Sequence, residues 1–136
     1  MLTTAGLPGF AAVKRVVSIT APASAVAGST VHITIAASTS GEGDEQIGFL
    51  HAQYSTDGGK TWVGICFDAK VGLAVSRQAS PAAGKAGSSI LIRARAAFRS
   101  SAGDVDYSGQ SINWDGSWDK WQVPPAKVTR IMIVAR

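Results

Sequence analysis

Apolar and polar residues alternate in short runs along this chain, and Gly, Pro, Ser and Thr punctuate the runs. In TVHITIAAS (30–38), Val31, Ile33 and Ile35 fall on one side and His32 and Thr34 on the other. That is the two-residue period of a half-buried strand. SILIRARAAFR (89–99) repeats it: Ile90, Ile92, Ala94, Ala96 and Phe98 form one face, Arg93, Arg95 and Arg99 the opposite one. VKRVVSIT (13–20), IGFLHAQYS (47–55), TWVGICFDAKV (61–71) and KVTRIMIVAR (127–136) also read as strands, and one short strand fits within 72–89. APASAVAGS (21–29) and STSGEGDEQ (38–46) read as loops, and 100–126 as a long irregular segment. No stretch argues for a long helix.

About seven short strands with turn residues between them predict an all-β fold. The arrangement expected is an immunoglobulin-like Greek-key β-sandwich over residues 13–136, preceded by an N-terminal arm at 1–12. No internal repeat of the kind that builds propellers or solenoids is visible. The final strand breaks the alternation, because Ile131, Met132, Ile133 and Val134 are apolar on both faces. A small two-layer sandwich should leave one sheet face wet. The second apolar face therefore implies either cover from segment 100–126 or contact with another protein. Ile131 and Ile133, with Phe10 of the arm, become candidate interface residues.

Composition supports one folded domain. The chain has 136 residues, 46% apolar and 16% charged, enough to bury one core without metals or disulfides. Cys66 is the single cysteine, so no internal disulfide forms. At the N-terminus the basic residues follow the mildly apolar stretch, whereas a secretory leader carries them in front. This predicts synthesis and folding in the cytoplasm. No apolar run approaches the roughly 20 residues of a membrane-spanning helix. Net charge is +4 and concentrates after residue 60. No cluster of five or more Lys and Arg occurs, which disfavours nucleic acid as the partner.

Two motifs stand out. In YSTDGGKTW (54–62), Asp57 is placed to accept hydrogen bonds from turn amides, and Gly58 and Gly59 permit positive φ. Trp62 can fold back on the hairpin and anchor it. The reading is a structural turn. In NWDGSWDKW (113–121), Trp114, Trp118 and Trp121 occur within eight positions. They can stack on a sugar ring, anchor a protein interface, or pack as a small core under a loop. Asp104, Asp106, Asp115 and Asp119 lack the density and closing Glu of a calcium loop and read as solvated acids. Arg93, Arg95 and Arg99 can meet an acidic neighbour or simply face solvent. His32, His51 and Cys66 are too few and scattered for a metal site. Cys66 within VGICF reads as a buried, inert thiol. No nucleophile elbow, zinc-protease, P-loop or dinucleotide signature is present. No catalytic residue, metal or cofactor is assigned.

STDGGKTW resembles the Asp-box, a structural hairpin that recurs in sialidase-type propellers and lies away from their active sites. It is also similar to a hairpin of immunoglobulin-like domains, including the dimerisation domain of sulfite-oxidase-type enzymes. RARAAFRSSAGDVDYSGQSINWDGSWDKW resembles a later segment of that dimerisation domain, although the pattern departs after Gly116. More broadly, the chain resembles free-standing immunoglobulin-like accessory proteins of tailed-phage virions. That resemblance implies a capsid-decoration or tail-accessory role, with shell proteins as partners and an oligomeric assembly as the setting. The alternatives are a carbohydrate-binding module using Trp114, Trp118 and Trp121, and an enzyme-associated dimerisation domain.

Overall fold

In the computed structural model, residues 15–41, 45–99 and 126–136 are described. They contain eight strands: β1 (Arg15–Thr20), β2 (Ser24–Val26), β3 (Ile33–Thr39), β4 (Gln46–Ser55), β5 (Val63–Gly72), β6 (Ala74–Ala79), β7 (Ser89–Arg99) and β8 (Ala126–Val134). They form a three-stranded sheet, β1-β3-β6, and a five-stranded sheet, β2-β8-β7-β4-β5. Every pairing between these strands is antiparallel except β2 with β8, which is parallel.

The alternation read from the sequence is realised in the core. Val17, Ile33, Ile35 and Ala37 from the small sheet pack with Leu50, Ala52, Ile90, Ile92, Ala94, Phe98, Ile131 and Ile133 from the large one. Two sheets sharing one apolar layer make an all-β sandwich. The extra strand, β2, lies in APASAVAGS, which the sequence pattern reads as a loop. Three residues are too few to show a period. What makes them a strand is the neighbouring edge: Ser24, Ala25 and Val26 align with Met132, Ile133 and Val134. After β1 the chain thus leaves the small sheet and joins the large one.

Two polar contacts close the sandwich at its margins. Glu45, fully buried, accepts Nε–H of Arg15 at 3.1 Å and Nη2–H at 2.7 Å. Thr39 Oγ1–H donates to the same carboxylate at 2.7 Å. This ties β1, the end of β3 and the start of β4 together, and the Arg15 guanidinium also lies over the Phe98 ring. STSGEGDEQ reads as a polar loop, and nothing local marks Glu45 for burial. A buried carboxylate is tolerable here because a cation and a hydroxyl satisfy it. On the other side, Arg77 of β6 meets Asp68 of β5 at 2.9 Å, spanning the two sheets where the chain crosses between them. The crossing turns at Gly72, which has φ +84°.

Candidate functional site

The 54–62 hairpin joins β4 to β5 and is held by its own side chains. Ser55 Oγ–H donates to Asp57 Oδ1 at 2.7 Å, and Ser55 Oγ accepts Gly59 N–H at 2.9 Å. Asp57 also accepts Thr61 N–H at 2.9 Å and the Thr61 hydroxyl. These donors hold the Asp57 carboxyl well below the usual carboxylate range, with the Thr61 hydroxyl contributing most. Gly58 and Gly59 adopt φ of +78° and +94°, a region other residues enter at a cost. Trp62 Nε1–H donates to Gly59 O at 3.1 Å, so the indole folds back over the turn.

That fold-back carries the hairpin onto the outer face of the five-stranded sheet. Arg93 of β7 lies 3.8 Å from the centroid of the Trp62 ring. Its Nε–H and Nη2–H donate to Gln53 Oε1 at 2.9 and 2.6 Å. One row further along, Arg95 Nε–H donates to His51 Nδ1 at 3.2 Å. The His51 ring stacks on Phe67 at 4.8 Å, and Phe67 meets Phe49 edge-on at 5.6 Å. Strand register explains the assembly: Gln53 pairs with Arg93 and His51 with Arg95 across β4 and β7, while His51 pairs with Phe67 across β4 and β5.

Because Nδ1 of His51 accepts a bond, its proton resides on Nε2 and the ring is neutral. Burial first, then the charges of Arg95 and Arg93, lower the His51 pKa to about 4. Burial also lowers Arg93 and Arg95 from the usual guanidinium value. The Cys66 thiol is half-buried and pushed up to about 11, by burial and then by Asp68. It is a protonated thiol at neutral pH, a poor nucleophile.

The outer face is therefore no simple wet surface. Phe49 and Ala97 lie outside the shared core yet are fully buried, and Arg95 is only 3% exposed. Toward β8 the same face opens to solvent. Val128, Met132 and Val134 are 70%, 45% and 43% exposed, and Val26 of β2 beside them 39%. Arg130 is exposed between Val128 and Met132.

The predicted residues separate accordingly. Asp57, Gly58, Gly59 and Trp62 form the expected turn. Arg93 and Arg95 share the outer face with Arg99's position in β7. Ile131 and Ile133 are in the core, at 0% and 2% exposure, so the exposed side of β8 is that of Val128, Arg130, Met132 and Val134. Strand period decides this: alternate residues of one strand cannot share a face with their neighbours. Phe10, Trp114, Trp118, Trp121, the arm, the acids of 104–119 and the side chain of Arg99 lie outside the described residues. Sequence reasoning passed over Gln53 and Phe67 and weighed His51 only as a metal ligand, because their link to the Arg strand depends on register and leaves no local motif.

Among the described residues no group of three His, Cys, Asp or Glu could hold a metal ion, and no helix is long and apolar enough to cross a membrane. A shallow groove of about 390 Å³ on the small sheet is lined by small side chains, among them Val16, Ser18, Ala36, Ser38 and Ser76, and none of its lining is titratable. No protein-family model and no curated protein matches the chain.

Proposed function

We propose that this chain is a non-enzymatic interaction module of immunoglobulin-like layout. Its setting is that of an accessory virion protein of a tailed phage, in capsid decoration or tail assembly. The observation that carries the module reading is the exposed apolar side of β8. Val128, Met132 and Val134 project from a strand whose other face places Ile131 and Ile133 in the core. Apolar side chains grouped on one open face mark a contact surface. The strand orders β1-β3-β6 and β2-β8-β7-β4-β5 support the immunoglobulin-like layout. The non-enzymatic part rests on the chemistry in reach: His51 is engaged by Arg95 and Cys66 holds its proton at neutral pH. The virion setting rests on the resemblance stated above.

The test is the mass of the chain alone and in its native source, by sedimentation velocity. The expected result is a chain that co-sediments with particles and is released by denaturant or salt. An inert monomer that joins no particle and no complex sinks the proposal.

A further inference from the structure

We infer that Asp57–Gly58 is an isoaspartate-forming site that the hydroxyls of Ser55 and Thr61 keep closed. An aspartate followed by glycine is open to this rearrangement because glycine sets no side chain beside its own nitrogen. The Gly58 nitrogen attacks Cγ of Asp57 and forms an N–Cγ bond. The OH of the protonated carboxyl leaves with the amide proton as water. Water then opens the five-membered imide. Addition at Cγ restores aspartate. Addition at the backbone carbonyl carbon breaks its bond to the Gly58 nitrogen, and the chain then runs through Cβ and Cγ. Mass is unchanged, and water is the only other reactant. Asp57 and Gly58 are both exposed at the hairpin tip, and nothing lies within 4 Å of a Cβ added at Gly58. Sequence and exposure favour reaction.

The hydrogen bonds oppose it. Asp57 Oδ1 accepts Ser55 Oγ–H at 2.7 Å and Thr61 N–H at 2.9 Å, and Oδ2 accepts the Thr61 hydroxyl. Both oxygens are held, so turning Cγ onto the Gly58 nitrogen breaks bonds to residues on either side of the turn. Ser55 is a fixed anchor: it is fully buried, and its Oγ also accepts Gly59 N–H at 2.9 Å. The same donors keep the carboxyl ionised, whereas the OH that leaves as water belongs to the protonated form. Rearrangement adds one methylene to the backbone between Ser55 and Gly59. Trp62 is bonded to Gly59 O and stacked with Arg93, so the clamp on Asp57 also preserves that stack.

The test ages the full chain and the free peptide YSTDGGKTW side by side in mildly acidic buffer at body temperature. Isoaspartate is read by methylation with isoaspartyl methyltransferase and by peptide mapping. Mapping is needed because Asp115–Gly116 is a second pair of the same kind. The peptide should accumulate isoaspartate while position 57 of the folded chain does not. Thr61→Val, at an exposed position, removes one hydroxyl and should speed the reaction at 57 about fivefold, the worth of one hydrogen bond. Thr61→Ser restores the hydroxyl and should age as wild type, which a merely loosened hairpin would not do. Ser55→Ala gives a second route to the same acceleration, and Asp57→Glu, which cannot close the five-membered ring, supplies the blank. Each variant is aged well below its own thermal unfolding midpoint. The inference is overturned if the folded chain ages at 57 as fast as the peptide. It is equally overturned if Thr61→Val ages no faster than wild type, or if Thr61→Ser ages as fast as Thr61→Val.

Discussion

Arg93 of β7 lies 3.8 Å above the ring of Trp62, joining a turn and a strand that are some 30 residues apart in the chain. The guanidinium is oriented by Gln53 and the indole by Gly59 O, so each partner is held before they meet. Stacking of this kind contributes about 0.5–2 kcal/mol. Trp62→Leu and Arg93→Met should each destabilise the fold, and the double variant should lose less than their sum. A double-mutant cycle by urea unfolding measures the coupling, expected at about 1 kcal/mol.

Glu45 is a fully buried carboxylate at the core margin. Glu45→Ala leaves the Arg15 cation and the Thr39 hydroxyl without their acceptor, at a cost of about 3 kcal/mol. Replacing both members of the pair, Arg15→Met with Glu45→Leu, should cost clearly less than Glu45→Ala alone. Equilibrium denaturation of the three proteins decides between these outcomes.

At the hairpin tip, space and backbone conformation separate. Nothing lies within 4 Å of a Cβ added at Gly58, whereas one at Gly59 meets Trp62 at 3.5 Å and Leu91 at 3.7 Å. Gly58→Ala should cost about 1 kcal/mol from its positive φ alone. Gly58→Asn should cost less, since Asn tolerates this region. Thermal unfolding midpoints should rank wild type, Asn, Ala.

His51 makes stability depend on pH. Its folded pKa of about 4 lies below the unfolded value of 6.5, so between the two the unfolded chain takes up a proton that the folded chain refuses. Its contribution is present above pH 6.5, falls as pH drops to about 4, and is flat below. With the ring partly open to solvent, the loss is about 1–2 kcal/mol. His51→Gln keeps an acceptor for Arg95 and does not titrate, so its urea midpoint should vary less across that interval.

The two sides of β8 should respond in opposite ways. Ile131→Ala should cost about 3 kcal/mol, the penalty for emptying a filled core position. Val128→Ala, at 70% exposure, should change stability by less than about 0.5 kcal/mol. If the strip is a contact surface, only the Val128 change alters association without altering the unfolding curve.

Much of this architecture is legible from residue patterns. The faces of β3 and β7 follow from alternation, and the turn at Asp57–Trp62 from side chains that bond within a few residues. Such features are local, so a single stretch of chain carries the whole cause. β2 was not legible, because three residues show no period and its partner lies more than 100 positions away. The fate of Glu45 was not legible either, since Arg15 and Thr39 reach it only after β1, β3 and β4 have assembled.

The sequence by itself determined that this is a sheet protein with a pinned hairpin and an Arg-bearing strand, because strand period and turn chemistry act over a few residues. Only the tertiary structure decided that Ile131 and Ile133 are core and that Val128, Arg130 and Met132 face outward. It alone placed Trp62 under Arg93 and His51 between Arg95 and Phe67. Those relations depend on register between strands, and register is set by how two sheets bury a common core.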